Sequence, residues 1–336
     1  MLPADPRTLG ATLTDGGCNF AIWTSAATAV ELCLFNEVNG KLVETRFALS
    51  HRNGPIWHGY LAGVRAGQRY GYRIYGTWAP EYGSRFNAAK LLIDPYAHKL
   101  DGTLSYVPEI YGHVATDGLG AGDTSVRDDR DSAGFVPLSV VTDYRAREVQ
   151  RPIYSWTQEV IYEAHVQGLT AKNSAIPAEE RGTYKALGHP STIDHLKHLG
   201  VTALELLPIH AYATEPAIWG RGRKNHWGYN AIAFSAVHSE YAATDDPVTE
   251  LQWAIDRLHE NVSITTLQKA ESVDQRSPLK VSITILGIAM MEKVTTSMSL
   301  AAEIQFKHRA RMQYAILLIR CAGGLKLLAL TDSALI

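Results

Sequence analysis

Residues 225–230 read Asn-His-Trp-Gly-Tyr-Asn, and two apolar runs stand before them in the chain. The first run covers residues 160–170 (VIYEAHVQGLT), and the second covers residues 201–210 (VTALELLPIH). Neither shows regular polar alternation, which is typical of strands buried on both faces of a parallel sheet. The intervening chain is long enough for the helical crossover that parallel pairing requires. The pattern therefore predicts an α/β region that begins with the first run.

The hexapeptide follows the second predicted strand, where the chain leaves the sheet. In α/β barrels this carboxyl end of the strands carries the active site. The rings of Trp227 and Tyr229 offer flat apolar faces, and the side chains of His226 and Asn230 can form hydrogen bonds with hydroxyl groups. We interpret these four residues as substrate-binding candidates on a sugar-binding surface. The alternative is a buried aromatic cluster that closes the mouth of a barrel, and the hexapeptide alone favours neither.

The overall composition is that of a globular protein with room for two domains. The chain has 336 residues, of which 46% are hydrophobic and 20% charged, and its formal net charge is -2. This balance gives no field that would attract nucleic acid or an anionic membrane, so we expect neither as a partner. The first residues lack the basic and apolar regions of a signal peptide.

The three cysteines, Cys18, Cys33 and Cys321, are odd in number and widely spaced. This spacing argues against a disulfide framework or a zinc site and fits a reducing cytoplasm. We interpret Cys18 and Cys33 as small buried hydrophobic residues in strands. We therefore expect a cytoplasmic protein without a metal site.

The region up to residue 112 shows the alternation of short, half-buried strands. Apolar side chains recur at every second position, as at Val30, Leu32 and Leu34, and Asn39-Gly40 is a strong hairpin signal. We predict an immunoglobulin-like β-sandwich over residues 1–112 that folds alone. Its aromatic residues are interpreted as core rather than as a glycan platform, because alternating aromatic side chains face inward.

Residues 113–150 are predicted to connect the two regions, because they are rich in turn residues and acidic side chains. Acidic residues at alternate positions can bind calcium, but no complete ligand spacing occurs, so we favour a solvated loop.

Residues 151–260 show helix signals between and after the two predicted strands. Ile193, Leu196 and Leu199 repeat at helical spacing, and Gly200 stands where a helix would end. Asp246 followed by Pro247 predicts the start of a second helix, whose apolar face would carry Leu251, Ile255 and Leu258. The resulting order β-α-β-loop-α is the start of a repeating parallel architecture.

Seven stretches in register resemble the amino-terminal part of bacterial glycogen debranching enzymes, the isoamylase-type branch of the α-amylase superfamily. They span residues 9 to about 260 and read LGATLTDGGCNFAIWTSAATAVELCLF, WHGYLAGVRAGQRYGYRIYG, RFNAAKLLIDPYAHKL, DSAGFVPLSVV, VIYEAHVQGLT, RGTYKALGHPSTIDHLKHLGVTALELLPIHAY and NHWGYNAIAFSAVHSEYA. The resemblance implies a glucan-binding β-sandwich, then the first βαβα part of a TIM (β/α)8 barrel. It also implies a branched α-glucan as partner, hydrolysis of α-1,6-glucosidic linkages and no organic cofactor. Tyr229 would stack on the sugar at the cleavage subsite, and Trp227 would border the same cleft.

The implied chemistry is retaining hydrolysis by two carboxyl groups roughly 5–5.5 Å apart. The family's nucleophile lies in an Arg-x-Asp motif on the fourth barrel strand, and its other motifs follow; none appears in that context here. The string Arg127–Asp129 and the pair Arg130-Asp131 lie in the predicted connector. We interpret Glu163 and Glu205, inside the predicted strands, as structural. We therefore expect no catalytic residue in this chain.

The resemblance ends near residue 260, where the composition also changes. All seven tryptophans lie at or before Trp253, whereas four of the five methionines lie after residue 260. We interpret residues 261–336 as a non-family tail that reads like an out-of-frame translation; a divergent helical tail is the alternative. The expectation is a chain truncated before the catalytic residues and inactive. A non-catalytic α-glucan-binding protein that uses its sandwich is the rival hypothesis, and no sequence feature supports a third, a regulatory partner of a complete enzyme.

Overall fold

The computed structural model describes residues 1–143, 154–261, 316–321 and 324–329. Most of the predicted tail and the last part of the predicted connector therefore lie outside the described residues. Within the tail, two strands, Ile316–Cys321 and Gly324–Ala329, pair antiparallel. Those twelve residues are extended, unlike the helical tail considered as an alternative.

The amino-terminal region is built from strands that are mostly short. These strands are β1 (Gly10–Thr14), β2 (Gly17–Trp23), β3 (Ala29–Val38), β4 (Lys41–Ala48), β5 (His51–Asn53), β6 (Ile56–Ala62), β7 (Arg69–Tyr75), β8 (Trp78–Ala79), β9 (Ser84–Arg85), β10 (Leu100–Asp101), β11 (His113–Ala115), β12 (Gly122–Arg127) and β13 (Leu138–Val140). One sheet has the order β1-β2-β6-β5 and the other has the order β10-β13-β7-β3-β4. The predicted β-sandwich is thus confirmed.

The sandwich core lies between the two sheets and follows the predicted alternation. Val30, Leu32 and Leu34 of β3 are all buried in one cluster with side chains of β2 and β7. Phe20 of β2 meets Tyr70 of β7 edge to face at 5.2 Å, a favoured aromatic geometry. Cys18 and Cys33 are both fully buried, and burial raises the pKa of the Cys18 thiol to about 12. The interpretation of these cysteines as small buried residues is therefore confirmed.

The predicted hairpin at Asn39-Gly40 is also confirmed. Val38 of β3 pairs with Lys41 of β4, so the turn between them has two residues. Asn39 has φ 52° and Gly40 has φ 73°. Two consecutive positive φ angles are what a type I′ turn requires, and Asn-Gly adopts them at the lowest steric cost.

One part of the predicted connector is not a solvated loop, because its strand β13 completes the sandwich. Strand β13 pairs with β7 through Ser139 and Val140, and with β10. Leu138 packs with Cys33 and Phe35 on the outer face of the larger sheet. That face is apolar and needs a cover, so the sheet extends beyond the predicted boundary at residue 112.

The buried side chain of Arg73 links the segment that contains Asp131 to the sandwich through hydrogen bonds. Arg73 of β7 is 1% exposed, and its guanidinium donates hydrogen bonds to the carboxylates of Glu44 and Asp131. It also donates to the carbonyl oxygens of Ala88 and Ala89. Every edge of the guanidinium is therefore engaged, as a buried charge requires.

The second region combines helices with short strands. Its elements are β14 (Ile161–Ala164), α1 (Val166–Thr170), α2 (Tyr184–Leu187), α3 (Pro190–His198), β15 (Ala203–Leu206), β16 (His210–Tyr212), α4 (Pro216–Trp219), β17 (Ala231–Val237) and α5 (Pro247–Asn261). Strands β14 and β15 pair parallel, as predicted. The first strand ends at Ala164, well before the end of the predicted run at residue 170, because the ring of His165 caps α1.

The predicted helices are confirmed as α3 and α5. Gly200 follows α3 with φ 70°, the left-handed conformation in which glycine commonly ends a helix. Leu251 and Leu258 of α5 are buried in a cluster that also includes Leu196 of α3 and Leu204 of β15. These helices therefore cover one face of the two-stranded sheet.

The opposite face of that sheet is open within the described residues. Ile161 is 50% exposed and the Glu163 side chain is also exposed. The prediction that these strands are buried on both faces is therefore wrong for β14. In the part of the chain that the structure describes, no helix is both long and apolar enough to cross a membrane.

Candidate functional site

The hexapeptide 225–230, here called the aromatic loop, leads into β17. The chain reaches it from β16 through the short helix α4. Because β16 and β17 pair antiparallel, the two ends of this excursion are held together by a sheet. The aromatic loop is therefore carried on a fixed base at the end of a hairpin.

Asn225 stabilises the backbone of the aromatic loop through hydrogen bonds. Its side chain is 8% exposed, and its amide nitrogen donates to both carboxylate oxygens of Glu215 at 3.1 Å. Its amide oxygen accepts the N–H of Gly228 at 2.9 Å, which closes a turn around the two residues between them. The backbone N–H of Asn225 donates to Thr214 Oγ1 at 3.1 Å. Asn225 thus fixes the backbone that carries the Trp227 ring.

Gly228 lets the loop approach the end of the strand region closely. Its φ is 79°, and a Cβ at this position would lie 2.9 Å from the carbonyl oxygen of Pro208. Only glycine meets both conditions without strain. The turn therefore places Trp227 and Tyr229 on either side of a backbone that is pressed against the protein.

The two aromatic rings point outward. Trp227 is 57% exposed and Tyr229 is 68% exposed. The Trp227 indole stands at 70° to the exposed His226 ring, with 5.2 Å between the ring centroids. Between the two alternatives drawn from the sequence, the structure therefore favours a surface over a buried aromatic cluster, within the described residues.

The two polar candidates, Asn230 and His226, form hydrogen bonds within the protein. Asn230 donates its amide nitrogen to the carbonyl oxygen of Ala213 at 2.9 Å. The amide nitrogen of Asn230 therefore bonds to the protein, and the amide oxygen is the other polar atom of the side chain. The carbonyl of His226 is engaged by His165, whereas the imidazole of His226 is on the surface. Their roles toward a ligand stay predictions.

Two carboxylates of the open sheet face lie near the loop. Glu163 of β14 and Glu205 of β15 stand directly opposite each other in the parallel register. Burial, and then the neighbouring Glu163 charge, raise the pKa of Glu205. The pKa of Tyr229 is raised by burial and then by the charges of both carboxylates. The three side chains therefore interact electrostatically. A carboxylate accepts hydrogen bonds from hydroxyl groups, and a phenol both donates and accepts them.

A second set of contacts joins this excursion to the amino-terminal region. The Tyr106 ring stacks on the Trp219 indole at 4.7 Å and 20°. Its hydroxyl donates to the carbonyl oxygen of Thr214. The aromatic loop is therefore held from both regions of the molecule.

The four predicted residues are brought together, since they are consecutive in one exposed turn. The residues that support them, Glu215, His165 and Tyr241, were not predicted. For His165 a signal existed, because a histidine after Glu163 and before a Val-Gln-Gly sequence interrupts the apolar run where a strand should end. In the described part of the chain, no group of three or more His, Cys, Asp or Glu side chains is arranged to hold a metal ion.

The sandwich matches a known family of carbohydrate-binding domains. Residues 8–97 match the family carbohydrate-binding module 48, the isoamylase N-terminal domain. The chain is 42% identical over 290 residues to a glycogen debranching enzyme of Klebsiella pneumoniae, which covers 84% of this chain. It is 45% identical over 256 residues to one of Pectobacterium atrosepticum, which covers 76% of this chain. The predicted resemblance to the amino-terminal part of bacterial glycogen debranching enzymes is thereby confirmed.

The match covers less than half of those relatives. It spans 42% of the Klebsiella enzyme and 37% of the Pectobacterium enzyme. Among solved structures, a pullulanase of Anoxybacillus sp. LM18-11 complexed with maltotetraose aligns with a TM-score of 0.53 and 21% identity, over 79% of this chain and 34% of that one. A pullulanase of Paenibacillus barengoltzii complexed with maltohexaose and α-cyclodextrin aligns with a TM-score of 0.54 and 22% identity, over 77% of this chain and 37% of that one. At this identity the two alignments establish a shared fold.

Proposed function

We propose that this chain binds branched α-glucan through the rings of Trp227 and Tyr229. The observation that carries the proposal is that two neighbouring aromatic side chains are more than half exposed on a turn whose backbone is held by buried groups. The names of the relatives, glycogen debranching enzymes, supply the class of ligand.

The physical basis is stacking on a preorganised surface. The apolar face of a sugar ring loses water against an aromatic face, while its hydroxyl groups keep polar partners. Glu163 and Glu205 stand opposite each other on the open sheet face, and we propose that they accept hydrogen bonds from such hydroxyl groups. Because the loop is fixed before ligand arrives, less conformational entropy is lost on binding.

The α/β region is proposed to be the first part of a (β/α)8 barrel. The parallel pair β14–β15, the helix α3 in its crossover and the fold shared with pullulanases support this assignment. In such barrels ligands bind beyond the carboxyl ends of the strands, and the aromatic loop follows β15 in the chain. The buried, unpaired Cys18 and Cys33 are compatible with the proposed cytoplasmic location.

We propose that the 336-residue polypeptide binds glucan without hydrolysing it. Retaining hydrolysis needs a nucleophilic carboxylate and a carboxylic acid placed roughly 5–5.5 Å apart across the scissile bond. The Arg-x-Asp string of this sequence, Arg127–Asp129, belongs to the sandwich side of the molecule, with Arg127 at the end of β12. For Glu163 and Glu205 we propose hydroxyl binding in place of the structural role expected from the sequence, because both stand on the open face of the two-stranded sheet.

The sandwich is the second candidate for glucan binding. The match of residues 8–97 to a carbohydrate-binding module favours it. Trp23 is 37% exposed and Tyr82 is 82% exposed, so this region also presents aromatic rings. Binding through these rings would leave the aromatic loop without a role in affinity.

Affinity electrophoresis in gels that contain glycogen separates the two candidates. Trp227→Ala and Tyr229→Ala should each weaken retardation about tenfold or more, while the matched variants Trp23→Ala and Tyr82→Ala should not. The reverse pattern would transfer the function to the sandwich. In parallel, incubation with a branched dextrin should release no reducing sugar above a mock preparation, and release would contradict the absence of hydrolysis.

A further inference from the structure

We propose that His165 is a positioning residue, whose neutral ring holds the His226 carbonyl and so sets the orientation of the Trp227 ring. This inference rests on the proposed glucan binding for its functional consequence. It concerns a side chain at the end of β14 that is distant from the aromatic loop in sequence. The contacts of its two ring nitrogens carry the inference.

The Nδ1 atom of His165 acts as the cap of helix α1. It accepts the backbone N–H of Gln167 at 3.1 Å and that of Gly168 at 3.3 Å. A ring nitrogen that accepts hydrogen bonds carries no proton. In the neutral ring the proton must therefore lie on Nε2, so the helix cap selects the tautomer.

The Nε2 atom faces the aromatic loop. It lies 2.7 Å from the carbonyl oxygen of His226, and with the proton on Nε2 this is a short N–H donation. The hydroxyl of Tyr241 lies 3.1 Å from the same nitrogen and 3.1 Å from the hydroxyl of Tyr212. The helix cap, the tautomer and the loop carbonyl are thus joined in one chain of hydrogen bonds.

Ring packing reinforces the same geometry. The imidazoles of His165 and His226 are stacked at 4.2 Å with 21° between their planes. The His165 ring also lies edge to face with Trp227 at 6.5 Å. His165 is 7% exposed. Burial lowers its pKa and outweighs the hydrogen bond to the His226 backbone, which raises it. The neutral form that the Nδ1 contacts require is therefore also the form that burial favours.

The competing explanation is that His165 only caps α1. His165→Asn separates the two roles, because asparagine is among the best helix caps but has no atom that corresponds to Nε2. His198→Asn is the matched control, since His198 is exposed at the carboxyl end of α3. Tyr241→Phe removes the second partner of Nε2 and keeps the ring.

The experiment measures loop geometry without ligand and affinity with glycogen. Fluorotryptophan is incorporated into the full chain, and the Trp227 resonance is assigned by its loss in Trp227→Phe. We expect His165→Asn to shift or broaden that resonance and to lower glycogen affinity about tenfold. Tyr241→Phe should produce a smaller change in the same direction, and His198→Asn should produce none. An unchanged Trp227 resonance in His165→Asn would overturn the proposal.

The tautomer provides a test that needs no variant. The ring nitrogen chemical shifts of His165 in the wild-type chain should show a protonated Nε2 and an unprotonated Nδ1. A protonated Nδ1 would overturn the proposal even if His165→Asn failed to fold. If the wild-type chain does not bind glycogen at all, the proposed function fails, while the resonance and tautomer results still decide whether His165 positions the loop.

Discussion

The sandwich and the α/β region use the same kinds of side chain in opposite ways. In the sandwich, Tyr70 and Tyr72 are fully buried, and their hydroxyls donate to the carboxylate of Asp94. In the α/β region, Tyr229 is on the surface and is influenced by Glu163 and Glu205 across an open sheet face. The sandwich therefore uses tyrosine and carboxylate pairs as core, and the α/β region presents them to solvent.

Residue type alone does not separate the core from the site. What separates them is whether the element around the ring is closed on both faces. Strand β3 is covered on one face by the sandwich core, and on the other face its Cys33 and Phe35 pack with Leu91 and Leu138. Strand β14 has such a cover on one face only, within the described residues. The first arrangement yields stability and the second leaves a surface for binding.

The largest expected effect concerns the boundary of the sandwich. Fragment 1–143 should unfold in one cooperative thermal transition, whereas fragment 1–112 should not. The shorter fragment lacks β13, the Leu138 side chain that packs on Cys33, and the Asp131 partner of Arg73. Circular dichroism during heating measures the difference. Equal midpoints for the two fragments would show that the segment beyond residue 112 is dispensable.

The next effect concerns the buried charge that closes the sandwich. Arg73→Met should lower the free energy of unfolding by about 3–5 kcal/mol, because it removes one charged donor from Glu44 and the side-chain donor of two backbone carbonyls. Arg7→Met is the control, since Arg7 forms an exposed pair with Asp5. It should leave the free energy of unfolding unchanged within experimental error. Chemical denaturation of both variants makes the comparison. An Arg73→Met protein as stable as wild type would mean that the network does not hold the segment in place.

The next effect is a pH dependence of stability that comes from the buried Asp94 carboxylate of the sandwich. Burial raises the pKa of Asp94 from 3.8 to about 6. The folded state therefore binds the proton more tightly, so the Asp94 contribution is fully present below pH 4 and is lost as the pH rises through 6. The difference in unfolding free energy between wild type and Asp94→Asn should fall by on the order of 3 kcal/mol across this window. A difference independent of pH would contradict the burial of the charge.

A further effect concerns the turn inside the aromatic loop. Gly228→Ala adds a Cβ that would lie 2.9 Å from a backbone oxygen, at a positive φ. Gly222→Ala is matched to it, since Gly222 has φ 69° and open space around it. Both should lose about 1–2 kcal/mol to the left-handed backbone, and Gly228→Ala about 1–3 kcal/mol more to the clash. Only Gly228→Ala should also weaken retardation by glycogen; equal behaviour of the two would place the turn outside the site.

The sequence was informative wherever a pattern had enough repeats. The alternation in β3 and β7, the Asn39-Gly40 turn and the apolar spacing in α5 all predicted elements that the structure contains. Strand β13 was missed because three residues show no periodicity, and its pairing with β7 joins distant parts of the chain. The role of His165 was missed for a related reason, since its partner His226 is brought near only by the fold.

The most direct test of the central claim is amide hydrogen exchange of the full chain with and without maltohexaose. Binding at the aromatic loop should slow exchange over residues 225–230, where the N–H groups of Asn225 and Gly228 already form hydrogen bonds. Exchange in the sandwich, residues 8–97, should stay unchanged. Protection confined to the sandwich, with no change at residues 225–230, would contradict the account and assign glucan binding to the carbohydrate-binding module alone.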